Sequence, residues 1–449
     1  MLRRAPEANG GVSAMARAHH IGAMSQPSRL RQVIRVLGQR TYGTYAAGNA
    51  VSLIGTWMHR VAAGWLAWEL THSATWLGIV AFADLFPTVV TAPLAGAAAD
   101  RWDRLRILRV TAAVALALAA ALFFLSIGGV LGIFALLSVT LGLGLVTGIA
   151  QPARLALIAS LVPREDLTTA VAINSIVFNL ARFVGPALAG ISIVGGGVAL
   201  VFAINALSYA AFFLALSRLP GEVAAQAPVR AKRDGGSLGD DLVEGLRYTL
   251  AHRGIAPLLG LLVITNVCGR PFTELLPGFA AQVFGTGADG LAMMTSAIGL
   301  GAVFGAAWLI GQSAPRRLAA VTVLSTLGLA VAIALFVESP RLAFALPVLA
   351  AAGAAMVGAG VGTQTLIQLS VAPAMRGRVL ALYGLIFRGG PALGALVMGA
   401  LADRVGLDLP VGVGAGVVAV ATLGLFFRYR PFVAALEAGR DDAAAEIRG

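Results

Sequence analysis

The sequence predicts an all-α membrane protein of twelve transmembrane helices in two pseudo-symmetric six-helix bundles, and three observations carry that expectation. The 449 residues are 58% hydrophobic and only 12% charged, with a mean hydropathy of +0.85, well beyond what a soluble core needs. Apolar runs of bilayer-spanning length recur between short Gly-, Pro- or charge-containing breaks, without the period-two alternation of barrel strands. A polar stretch at 219–255 leaves six runs on each side, the layout of two parallel repeats.

In chain order, a basic tail at 1–41 comes first and lacks an apolar core of signal-peptide length, so the first span must itself direct insertion. Within it, "RLRQVIRVLGQR" suits either an amphipathic helix on anionic lipid or a solvated positive flank. The N-terminal bundle, 42–218, holds spans at about 44–68, 74–98, 107–128, 131–160, 170–193 and 197–217. The connection 219–255 reads as linker followed by an amphipathic helix, "LGDDLVEGLRYTLAHRG". The C-terminal bundle, 256–428, holds spans at about 257–283, 288–311, 317–337, 342–370, 379–402 and 409–428, and a tail at 429–449 follows.

Basic residues set the expected orientation. Seven Lys and Arg precede the first span, four lie between the second and third, and six fall in 218–253, whereas "ELTHSA", "SIGG", "VGGG" and "GTGADG" on the opposite face have none. The positive-inside rule therefore places both termini and the central loop in the cytoplasm, and reads the net charge of +12 as topology rather than nucleic-acid binding. With one Lys among 33 basic residues and an excess of Ala, the composition suggests a GC-rich bacterium, hence its cytoplasmic (inner) membrane.

Enzyme signatures are missing. No Gly-x-x-x-x-Gly-Lys-Ser/Thr loop serves ATP, no His-Glu-x-x-His or clustered His/Asp suggests a metal, and Cys268 is alone, so no cofactor is expected.

The stretch "GAAADRWDRLR", from Gly96, resembles motif A of the major facilitator superfamily, Gly-x-x-x-Asp-Arg-x-x-Arg-x-Arg. Further likenesses run through "GTWMHRVAAGWLAWELTHSATWLG", "QPARLALIASLVPREDLTTAVAINSIVFNLARFVGPALAG", "GRPFTELLPGFAAQVFG" and "RGRVLALYGLIFRGGPALGALVMGALADRVG". Together they resemble the drug/proton antiporter branch that includes the enterobactin exporter and the macrolide efflux proteins. The resemblance implies the major facilitator fold and a conformational latch at Gly96, Asp100, Arg101 and Arg104. "GPALAG" resembles motif C, implying a helix kink at Gly185 and Pro186. Two departures stand out: Asp103 replaces a common Gly, and "VTLGLGLV" lacks the Arg of motif B. "GALADRVG" at 399–406 mimics motif A, but span counting puts it on the outer face, where Asp403 and Arg404 read as a helix-end charge pair.

Ionisable residues inside a bilayer persist only when they face a cavity, find a partner or snorkel. Asp84, deep in the second span, and Glu274 are the proton-coupling candidates, with a permanent ion pair to an Arg as the alternative for each. Glu274 follows Arg270 by four positions, while Gly269 and Pro271 interrupt that helix where transporters tend to place substrate. Arg154, Arg182, Arg270 and Arg388, with Asn174, Asn179, Asn266 and Gln364, are substrate-cavity candidates; such amides also bind helix to helix. The resulting expectation is a monomeric, non-enzymatic secondary transporter that exports a small amphipathic or siderophore-like molecule by proton exchange and alternating access. A lipid or lysolipid translocator or importer of the same fold is the alternative, and a non-transporting scaffold or sensor the remoter one.

Overall fold

The computed structural model describes residues 29–221, 238–309 and 315–448, and these are almost wholly helical. Helix α1 (Arg29–Gly38) leads into α2 (Arg40–Thr71), α3 (Ala74–Arg101), α4 (Arg104–Ile127), α5 (Ile133–Leu161) and α6 (Leu167–Ser217). After the central connection come α7 (Leu238–Ala251), α8 (Ile255–Ile264), α9 (Ala288–Leu309), α10 (Pro315–Val337), α11 (Leu342–Ser370), α12 (Pro373–Val405), α13 (Asp408–Phe427) and α14 (Tyr429–Arg448).

Ten described segments are long and apolar enough to cross a membrane. One of them, Arg164–Ser217, runs 54 residues, roughly 80 Å at the helical rise and more than twice a bilayer core. It breaks at Gly196 and at Gly197, whose φ of 71° favours glycine, so it folds back as two crossings. Helix α2, 32 residues long, falls outside the ten because Asn49, Ser52, His59 and Arg60 dilute its apolarity, yet it is long enough to cross and packs along both arms of α6. Counted this way, the described residues hold helices of sufficient length for twelve crossings.

The tails are more structured than the sequence suggests. Val36 of α1 joins the first bundle's core, Arg35 pairs with Asp166, and Gln39 donates to the same carboxylate at 2.8 Å. Phe432, Val433 and Leu436 of α14 join the second bundle's core. Helix α7 is the expected amphipathic segment; its Glu244 meets Arg378 at 3.3 Å at the start of α12.

Three hydrophobic clusters define the architecture. Near the termini, one belongs to the first half alone, with Tyr42, Leu105, Leu157 and Phe212, and another to the second half alone, with Ile255, Leu318, Ile367 and Leu425. At the far end a single cluster merges both halves, joining Met58 to Trp68, Leu77 and Val80 with Phe272, Phe279, Leu291, Met398 and Leu407. Two bundles fused at one end and separate at the other enclose a cleft that opens toward the termini.

Small residues make the fused end possible. A Cβ on Gly78 of α3 would strike the Ala395 carbonyl of α12, and one on Gly399 would strike that of Ala74. Gly190 of α6 lies equally close to Ala292 of α9. At the edge of this seam Asp403 accepts hydrogen bonds from the Ala74 amide (2.6 Å), the Thr75 amide (3.1 Å) and the Ser73 hydroxyl (2.6 Å). It thus caps the N-terminus of α3 from the other bundle. This corrects the expected charge pair: Asp403 bonds across the seam, and among the described residues no ion pair joins it to Arg404.

Candidate functional site

The cleft ends in a cavity of about 410 Å³ between the bundles. Helix α2 contributes a stripe at helical spacing, Leu53, Thr56, Trp57, Arg60, Val61 and Gly64. Helices α5 and α6 add Gln151, Arg154, Phe178, Arg182 and Pro186 from the first half. From the second half, Arg270, Thr273 and Glu274 arrive on the stretch after α8, with Phe387 and Arg388 on α12.

That stretch departs from the α-helix in the way Gly269 and Pro271 lead one to expect. After Ile264 the chain widens into a π turn at Thr265–Gly269, tightens into a 3₁₀ turn at Arg270–Glu274, and widens again at Phe279–Val283. The tight turn changes the geometry of Arg270 and Glu274. At three residues per turn, positions four apart point about 120° away from each other instead of sharing a face. Arg270 accordingly donates to Asn266 at 2.9 Å and stacks on Phe387 at 4.4 Å, while Glu274 accepts from the Thr273 hydroxyl at 3.2 Å. No ion pair forms between Arg270 and Glu274.

Asp84 is paired instead. Its carboxylate meets Arg60 at 2.8 Å, bridging α3 and α2. Arg60 and Glu274 line the same cavity from opposite bundles, and no ion pair joins them. Trp57 carries guanidinium groups on its ring, Arg60 at 5.0 Å and Arg182 at 5.6 Å. Arg154 rests on Phe212 at 4.9 Å and donates to Asn49 at 3.3 Å; the Asn49 amide in turn donates to Asn174 at 3.2 Å.

Of the expected cavity residues, Arg154, Arg182, Arg270, Glu274 and Arg388 line the wall together. Asn266 sits just behind it, orienting Arg270. Three expected amides do not line it. Asn174 supports Asn49, Asn179 donates to the Ser175 carbonyl of its own helix at 2.8 Å, and Gln364 is exposed on α11. Arg60 was legible as an ionisable residue inside the first span, whereas the aromatic seats carried no signal beyond a three- and four-residue spacing along α2.

Gly96, Asp100 and Arg101 fall in the last two turns of α3, but their side chains lie outside the described residues. Arg104 is buried and reaches Ser160 at 3.5 Å. Asp103 caps α4 through the Leu105 amide at 2.8 Å, and Arg109 donates to the Leu216 carbonyl at 2.9 Å, closing the end of α6. Pro186 stands inside α6 with helical dihedrals, and the non-helical break of the same helix falls at Gly196 and Gly197. Gly185 lets α6 approach Trp57, where a Cβ would come within 2.5 Å.

Comparison with known proteins agrees with this geometry. The model of the transmembrane secretion effector family matches residues 35–445. The multidrug efflux pump Tap of Mycolicibacterium fortuitum is 30% identical over 380 residues, covering 81% of this chain and 88% of that one. The staphyloferrin A transporter of Staphylococcus aureus is 26% identical over 270 residues, 57% of this chain and 64% of that transporter, so the match spans slightly under two thirds of its length. Among solved structures, a D-xylose-proton symporter superposes with a TM-score of 0.63 at 14% identity, covering 85% of this chain and 96% of that one, which shows a shared fold. Two bundles around a charged cleft, a family match over nearly the whole chain and a relative of matching length make this protein a member of the transmembrane secretion effector family within the major facilitator superfamily, with a secondary-transporter fold.

Proposed function

We propose that the protein exports a small amphipathic or siderophore-like molecule across a bacterial cytoplasmic membrane in exchange for protons. The observation that carries this reading is Glu274: a carboxylate in the wall of an inter-bundle cavity, with no cation at ion-pair distance among the described residues. A carboxylate facing a cavity that opens to one side and then the other can exchange a proton with each compartment in turn. Asp84, held by Arg60, is the second coupling acid, and Arg60 lines the same cavity as Glu274. Loss of the proton from Glu274 would draw Arg60 away from Asp84 and so alter the contact between bundles.

On this reading the termini, the 219–255 connection and the open cleft face the cytoplasm, the bundles are 42–218 and 256–428, and one chain is the working unit. An opening toward the termini is, on the same reading, an inward-facing state. Inverted membrane vesicles provide the test, using ethidium, Nile red and carboxyfluorescein as probes spanning charge classes. An imposed acid-inside gradient should drive accumulation of at least one probe in vesicles carrying the protein, and Glu274→Gln should abolish the gradient dependence. Accumulation that ignores the gradient, or survives intact in Glu274→Gln, contradicts proton coupling at this acid.

A further inference from the structure

The cavity wall carries more positive charge than its acids neutralise. Arg60 is matched by Asp84 at 2.8 Å, but Arg154, Arg182, Arg270 and Arg388 have no carboxylate within ion-pair distance among the described residues. Glu274 is the remaining acid on the wall. The groups that hold these arginines are neutral: Asn49 and Phe212 for Arg154, Asn266 and Phe387 for Arg270, and Trp57 for Arg182. Amide oxygens and aromatic faces orient a guanidinium without cancelling its charge. Unmatched cations inside a bilayer are costly, and a bound anion removes that cost.

From this we propose that the transported molecule is a compact, multiply carboxylated anion with a flat apolar portion. Its carboxylates are gripped from both bundles, by Arg182 on α6 and by Arg270 and Arg388 in the second half. Guanidinium forks match carboxylates in paired hydrogen bonds, and Trp57, Phe178 and Tyr209 offer apolar wall between them. The volume of about 410 Å³ suits a ligand of drug-like size rather than a simple inorganic ion. Grip from both bundles makes the anion itself a bridge across the cleft, so its arrival favours closure on the cytoplasmic side. Export of such an anion also runs with an inside-negative membrane potential. The inference rests on the exporter reading only for direction; the binding chemistry stands apart from it.

The test is equilibrium binding to the purified full chain in nanodiscs, with no gradient present. Three probes share one benzene ring: trimesate with three carboxylates, its neutral triamide, and the tris(aminomethyl)benzene cation. Trimesate should bind about tenfold or more tighter than the triamide, with affinity falling as salt rises, and the amine should bind worst. Arg182→Gln and Arg388→Gln should each remove most of the trimesate preference, while Arg182→Lys, which keeps the charge, should retain part of it. Trimesate binding no stronger than that of the triamide or the amine overturns the proposal. Anion preference without gradient-driven transport would leave this proposal standing and sink the exchanger reading, and the converse result would do the opposite.

Discussion

Arg60 shows how much one side chain can join. It sits on the ring of Trp57, pairs with Asp84 and lines the same cavity as Glu274 of the other bundle. Removing one member of a half-buried pair leaves an uncompensated charge, a cost of about 2 kcal/mol, between the values for exposed and fully buried pairs. Asp84→Asn should therefore melt at a lower temperature than wild type by intrinsic fluorescence, and the double variant Arg60→Gln/Asp84→Asn should recover part of the loss. Equal melting of all three would mean the pair contributes nothing to stability. The sequence showed that these residues were out of place in a membrane. It could not show that Arg60 chooses Asp84, or that Arg270 turns from Glu274, because both depend on helix pitch and on neighbours distant in the chain.

At the scale of elements, the seam between α3 and α12 is the informative contact. Asp403 caps α3 with three hydrogen bonds, and the near-touching backbones at Gly78 and Gly399 leave no room for side chains. From sequence alone the motif-like "GALADRVG" reads as a local charge pair, since nothing within one chain announces that its Asp meets a helix end 330 positions away. A helix cap is worth about 1 kcal/mol, enough to shift a two-state equilibrium severalfold. Asp403→Asn should therefore raise labelling of a Thr295→Cys cavity cysteine by a membrane-impermeant maleimide added from the far side, in a background lacking Cys268. Asp100→Asn, on the motif A loop, should act oppositely and raise labelling from the cytoplasmic side, if its carboxylate latches the other state as the family resemblance implies. Unchanged labelling in Asp403→Asn would reduce the clasp to a local cap.

For the whole molecule, hydropathy and charge spacing made the two six-span halves and the broken stretch after α8 legible, because membrane insertion imposes both signals on the sequence directly. The arrangement of cores was not legible: apolar residues look alike whether they pack within one bundle or across two. One merged core lies at the far end and two separate cores near the termini, and protonation of Glu274 is the proposed switch between that arrangement and its inverse. Spin-label distance measurements test this most directly, with one pair at Glu165→Cys and Ala374→Cys near the termini and another at Phe134→Cys and Phe344→Cys at the far end, in lipid nanodiscs. Between acidic and alkaline pH the two distances should change in opposite senses, and Glu274→Gln should hold one distribution at every pH. Distances that stay fixed, move together, or still respond to pH in Glu274→Gln would contradict the account.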